Sequence, residues 1–309
     1  MLPEPGLPES SVDFLYRVFC VKKDMPPLES LLERLITNNP RNPEDGFVFP
    51  PPNGLRRLQD ALGASPDYFC MGYLREEAPQ LWEEAEAALA DQATLFDESD
   101  RLTVLKGSLC VVLRAQIKNP ETNQFVETLV HLADAFQDLQ HGVVWDVYMQ
   151  KLWGRGEWPQ VLEEIMSPLS HVRVIAEQDE EESWATLRTS GLVKFGSPDL
   201  ELCRVPRRLV DETTFFLLDV TEHLMRGDIL LSDDVVTYRD AKFRVMTTSP
   251  RGESEIFRIV DAPESEETPL EDTDGAEGAP QLLEAIRKAR ISLEGERARD
   301  GLPASQGQE

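Results

Sequence analysis

The feature that most constrains this chain is a repeated change of hydrophobic period. Stretches that alternate apolar with polar residues, as strands do, give way to stretches with apolar residues three and four apart, as helices have. Phe14 to Lys22 reads as a strand, and Leu28, Leu31, Leu32 and Leu35 then form a helical stripe opened by Pro26-Pro27. Asn38 to Asn53, rich in Asn and Pro, reads as a loop, and a short helix is expected from Leu55 to Leu62. Tyr68 to Leu74 reads as a strand. From Pro79 a long acidic helix carries Leu81, Ala85, Ala88 and Leu89 on one face. Asp97 to Arg101 breaks the pattern. Leu109, Val111 and Leu113 then alternate as a strand, Asn119-Pro120 turns, and Phe125, Leu129, Leu132, Ala133 and Phe136 mark a helix that Gly142 stops.

The second half changes character. Val143 to Tyr148 is β-rich, Trp158-Pro159 opens a helix through Met166, and His171 to Glu177 and Trp184 to Arg188 read as strands. Thr213 or Thr214 is expected to cap a helix through Met225. Asp234 to Tyr238, Phe243 to Thr247 and Ile256 to Val260 read as antiparallel strands, with Pro250-Arg251-Gly252 as a turn. Together these predict an α+β (or α/β) protein of two sheet-plus-helix units with mixed sheets, each covered by helices on one side. The expected division is residues 10–98 and 101–262. An acidic disordered linker, 263–280, and a lone, mostly charged helix, 281–299, follow; such a helix is marginal by itself in water, so it docks back or meets a partner.

The charge narrows the function. With 57 acidic against 31 basic residues the chain carries a formal net charge of −26. Affinity for nucleic acid and for anionic membranes comes mainly from Lys and Arg, so neither is an expected partner. A soluble surface, a basic protein partner and mimicry of a polyanion remain. No stretch approaches the roughly 18 apolar residues of a membrane helix. Met1 to Ser10 lacks the basic and apolar regions of a secretory signal, and a cytoplasmic location is expected.

Chemistry finds few footholds. Cys20, Cys70, Cys110 and Cys203 have no metal-ligand spacing, and three of them sit in apolar runs as small core residues. His131, His141, His171 and His223 form no zinc motif, no phosphate-binding glycine loop occurs, and no nucleophile elbow is present. The sequence therefore assigns no catalytic residue, no metal and no cofactor. Trp145, Trp153 and Trp158, interleaved with Tyr148 and Arg155, are the candidate recognition surface, because aromatic and Arg side chains anchor interfaces. Burial of the tryptophans in the core is the competing reading.

The turn Gly191-Leu192-Val193-Lys194-Phe195-Gly196-Ser197-Pro198-Asp199-Leu200-Glu201-Leu202 is the other candidate. Gly191 and Gly196 permit backbone angles closed to other residues, and Leu200 and Leu202 alternate with Asp199 and Glu201 as in a half-buried strand. Lys194, Asp199 and Glu201 would line a groove. Three places carry a resemblance: Leu109 to Leu139 leading into Gly142-Val143-Val144-Trp145, this turn with Thr189-Ser190 before it, and Leu217 to Leu230. Over about 109–260 the chain resembles the uncharacterised bacterial domain-of-unknown-function family numbered 4261. The resemblance implies a bacterial origin and a shared fold, and no activity. The expected function is a non-enzymatic cytoplasmic protein-interaction or regulatory protein, of adaptor or immunity type, with a protein partner, a basic one being among the options that the charge leaves open. The alternative is an enzyme or small-molecule-binding protein using Asp199, Glu201 and His223 near the turn.

Overall fold

A computed structural model describes residues 11–27, 29–31, 33–34, 68–92, 96–118, 123–178, 183–239, 241–248, 256–262 and 279–288. The expected loop 38–53, helix 55–62, turns 119–120 and 250–252, linker 263–278 and residues 289–309 lie outside the described residues. The α+β class holds: helices accompany two separate sheets. The chain forms two units. Unit 1 is Met1–His171 with Val193–Gly196, and unit 2 is Val172–Leu192 with Ser197–Glu309.

Unit 1 contains β1 (Ser11–Cys20), β2 (Tyr68–Leu74), α1 (Gln80–Gln92), α2 (Glu98–Lys106), β3 (Leu109–Lys118), α3 (Gln124–Gln140), β4 (Val143–Asp146), β5 (Lys151–Trp153), α4 (Trp158–Glu163) and α5 (Pro168–His171). Its sheet runs β2-β3-β1-β4-β5, antiparallel throughout. The boundary expected at 98–101 therefore does not divide units, because β1 pairs with β3 along its whole length, from Ser11 opposite Lys118 to Cys20 opposite Leu109. Asp97 is not a break either. It is the N-cap of α2, its carboxylate accepting from the Asp100 N–H at 2.7 Å.

The central strand β1 has two buried faces. Val12, Phe14, Tyr16 and Val18 pack with Phe125, Leu129 and Phe136 of α3 and with Trp158 of α4. Phe19, with Trp145 and Leu152, packs with Trp82, Ala85 and Leu89 of α1 and Val104 of α2. Unit 1 thus has helices on both faces, not one. Each large side chain buried here stabilises the unit by about 1.5–3 kcal/mol. At the end of α3 the left-handed residue is His141, with φ 53°, not Gly142. Gly142 is needed for space instead: a Cβ there would stand 2.7 Å from Val18 Cγ1. Edge strand β5 is closed by Gln92, whose amide donates to Gln150 O at 3.2 Å and accepts from the Leu152 N–H at 3.3 Å.

Unit 2 contains β6 (Arg173–Gln178), β7 (Trp184–Ser190), β8 (Asp199–Pro206), α6 (Val210–Met225), β9 (Val235–Tyr238), β10 (Ala241–Thr248), β11 (Ile256–Asp261) and α7 (280–288). The sheet order is β6-β7-β8-β11-β10-β9, and the parallel pairing of β11 with β8 makes it mixed. A bulge between Ala185 and Leu187 accommodates Arg204 at φ 54°. The α6 helix starts at Val210, so Thr213 is not its cap but a buried residue within it. Phe216 of α6 meets Tyr238 and Phe243 edge-on, at 4.8 and 5.7 Å between ring centroids. The expected lone helix is not isolated over 280–288: Leu282, Leu283, Ala285 and Ile286 are buried. The Asp261 carboxylate caps it, accepting from the N–H groups of Gln281 at 2.7 Å and Leu282 at 3.0 Å.

Candidate functional site

The expected recognition stretch around the tryptophans is not a surface. Trp145 is 3 % exposed, Trp153 4 % and Trp158 1 %. They enter two different cores: Trp145 packs beneath α1 and α2, while Trp153 and Trp158 pack on the α3 side. The two polar members are spent on internal networks. Arg155 donates from its Nε and its backbone N–H to the buried Asp100 carboxylate, at 2.8 and 3.0 Å. Tyr148 hydrogen-bonds Asp13, which also takes a two-pronged Arg114 contact at 2.8 and 2.6 Å. Against the desolvation that pushes it up, these partners hold the Asp13 carboxyl below its ordinary range.

The glycine-rich turn is shaped as expected, with positive φ of 125° at Gly191 and 76° at Gly196. Its residues divide between the two units. Lys194 and Gly196 belong to unit 1, and Gly191, Asp199 and Glu201 to unit 2. Asp199 straps the turn to β8: it accepts from Thr189 Oγ1 at 3.0 Å and from the Leu192 N–H at 3.1 Å. Burial raises its carboxyl despite those donors. Glu201 accepts from Arg258 Nε at 2.8 Å and Nη2 at 2.6 Å. His223, the remaining residue of the enzymatic alternative, is exposed and meets Asp228 at 3.0 Å.

Lys194 instead completes a polar cluster inside unit 1. Its Nζ lies 2.5 Å from Asp146 Oδ2, and both side chains are 0 % exposed. The ammonium also stands 5.1 Å from the Phe14 ring centroid. Asp146 Oδ1 accepts from the Met149 N–H at 3.0 Å, so the carboxylate fixes the turn after β4 as well. Burial, then the Asp146 charge, raises the Tyr16 hydroxyl well above its usual range. His171 shares a hydrogen bond with Ile165 O and packs between Phe14 and Phe195. Burial, then the Lys194 charge, pushes it down to about 3, so it is neutral at pH 7. This cluster holds the fold; every member is fully buried. Asp146 and Lys194 lie 48 residues apart, and no local sequence signal joins them.

The thiols are likewise held protonated: burial pushes Cys70 and Cys110 up to about 12. Among the described residues no group of three or more His, Cys, Asp or Glu is placed to hold a metal ion. None of the described helices is long and apolar enough to cross a membrane.

The surface that stands out lies on unit 2, where α6 ends and the chain enters β9. Ile229 is 60 % exposed, Leu231 43 % and Val235 51 %. The bend is internally fixed: the Leu231 N–H donates to Asp234 Oδ2 at 2.7 Å, and Asp233 takes φ 71° while its N–H donates to Val245 O at 2.7 Å. Apolar side chains are thus presented by an ordered turn. Directly opposite residues of paired strands share a sheet face. Val235 is opposite Arg244, Thr237 opposite Lys242, and Met246 opposite Arg258, which in turn neighbours Glu201. Val235 therefore shares a sheet face with Arg244 and Lys242 of β10, and with Met246, Arg258 and Val260 further along it. Sequence reading passed over Ile229, Leu231 and Val235. The available signal was large apolar residues set among turn formers, Asp228 and Ser232-Asp233-Asp234. Compared with protein families, curated proteins and solved structures, the chain matches none.

Proposed function

We propose that this chain is a cytoplasmic protein-interaction or regulatory protein, of the adaptor or immunity type, related to the uncharacterised family it resembles. The observation that carries this reading is the ordered, exposed apolar turn of Ile229 and Leu231 running into Val235. Apolar side chains held in water by a fixed backbone cost solvation free energy that a partner surface recovers. The test is affinity capture from the native host with the full chain and with a variant carrying Ile229→Ser, Leu231→Ser and Val235→Thr. A stoichiometric protein partner held by the first and lost by the second is expected. Equal capture by both, or no partner with the full chain, contradicts the reading.

A further inference from the structure

The buried pair of unit 1 combines a nucleophile, an electrophile and the exclusion of water. Lys194 Nζ stands 2.5 Å from Asp146 Oδ2, and neither side chain is exposed. An amine and a carboxyl that meet in this way are the two halves of an amide. Groups fixed side by side react as one molecule, with effective concentrations on the order of 10⁵ M and above when well aligned. The second carboxylate oxygen is already held. Asp146 Oδ1 accepts from the Met149 N–H at 3.0 Å, which sets a donor where negative charge gathers during acyl transfer. A base is also at hand. His171 shares its Nε2 with Ile165 O, and a carbonyl only accepts, so Nε2 carries the proton and Nδ1 the lone pair. That Nδ1 is buried and has no hydrogen-bond partner among the described residues. The imidazole and the Lys194 ammonium stand against the same ring, Phe14, at 5.7 and 5.1 Å from its centroid. Burial, then the Lys194 charge, keeps this imidazole neutral, and a neutral imidazole takes protons.

We propose that the folded chain joins Lys194 to Asp146 through an intramolecular amide bond. The chain folds with the ion pair, and the amide accumulates from it. A proton first crosses the 2.5 Å contact from Nζ to Oδ2, leaving an amine beside a carboxylic acid. The Nζ lone pair attacks Asp146 Cγ, and the displaced electron pair rests on Oδ1, facing the Met149 N–H. His171 Nδ1 takes a second proton from Nζ and returns it to Oδ2. The C–Oδ2 bond then breaks and Oδ2 leaves as water, with one hydrogen kept on the amide nitrogen. One C–N bond forms, one C–O bond breaks, and no co-reactant enters. Water is the product, so a site that excludes it favours the bond and then protects it from hydrolysis. The bond ties together residues 48 apart, and such a cross-link stabilises chiefly by restricting the unfolded chain. Lys151 and Glu157 supply the contrast: they stand 3.7 Å apart with both side chains partly exposed, and stay unlinked.

The experiment is mass spectrometry of the full chain made by cell-free synthesis, sampled from folding until the mass is constant. The chain is expected to become lighter by one water. Tryptic digestion should then yield a branched peptide that joins Asp146 to an uncleaved Lys194, with Lys151 and Glu157 unlinked. A chain of full mass at the end overturns the inference, as does a water loss that maps to any other position. His171→Asn keeps the side chain polar but removes the base. It should slow the linkage by on the order of a hundredfold or more, in a chain whose circular dichroism is unchanged. Linkage of that variant at the wild-type rate overturns the part assigned to His171. Equal linkage of Lys151 to Glu157 overturns the claim that burial and the surrounding groups drive the reaction.

Discussion

Two charged constellations, one in each unit, use the same chemistry to opposite ends. In unit 1, Lys194 and Asp146 meet at 2.5 Å with no exposure, walled by Phe14, Tyr16 and His171. In unit 2, Arg258 meets Glu201 at 2.6 Å with 21 % and 14 % of the side chains exposed, on a face that continues to Arg244, Lys242 and exposed Val235. The first pair has no access to solvent and holds backbone in place. The second lies on a partly exposed face of the unit 2 sheet. Burial, not residue type, decides which charged groups a protein keeps for itself.

The comparison is broken most severely at the buried pair. Removing one partner of a buried ion pair leaves an uncompensated charge and costs about 3–5 kcal/mol, whereas replacing both with apolar groups of similar size is often neutral. Asp146→Ala is expected to lower the stability of unit 1 by that amount, and Asp146→Leu with Lys194→Met to restore most of it. Urea unfolding followed by tryptophan fluorescence reads this, since Trp82, Trp145, Trp153 and Trp158 all lie in unit 1. Failure of the double variant to recover would show that the pair specifies geometry that apolar packing cannot supply.

His171 sharpens the same contrast through pH. Its folded value is pushed from 6.5 down to about 3, so between those values the unfolded chain binds the proton and the folded one does not. Its contribution is complete above pH 6.5 and is lost as pH falls through that window, by about 1.4 kcal/mol per pH unit. His171→Asn should flatten this part of the stability profile, measured by urea unfolding at a series of pH values. An unchanged acid slope would contradict a buried, neutral His171.

Smaller effects are expected in unit 2. Asp261→Ala removes the carboxylate that caps α7 and should cost about 1 kcal/mol, with faster amide exchange confined mainly to 280–288. Protection unchanged over those residues would mean that burial of Leu282 and Ile286 alone holds the helix. Arg258→Ala breaks a partly exposed pair and should cost only about 0–1 kcal/mol, read by thermal unfolding. A cost equal to that of Asp146→Ala would erase the distinction between the two constellations.

Much of the fold was legible where one residue pattern had one outcome. Tyr68–Leu74 is the strand its β-rich composition predicts, and Leu200 and Leu202 are buried between Asp199 and Glu201 as their alternation requires. Helix α2 was illegible because only Asp100, Thr103 and Val104 of it are buried, leaving no apolar stripe, and because Asp97 serves equally as a turn residue and a cap. That ambiguity also misplaced the domain boundary. The sequence left the tryptophans open between surface and core, because interleaved Arg and Tyr look the same whether they face solvent or carboxylates of the fold such as the buried Asp100 and the half-buried Asp13. The proposed docking face was harder still. Arg244, Val235 and Arg258 come from three strands, and only their register places them on one face.

The most direct test of the central distinction is urea unfolding of Lys194→Met beside Lys242→Glu. The account predicts a loss of about 3–5 kcal/mol for the first and a change within about 0.5 kcal/mol for the second, whose charge lies at an exposed position. Equal losses, or a larger loss for Lys242→Glu, would contradict it.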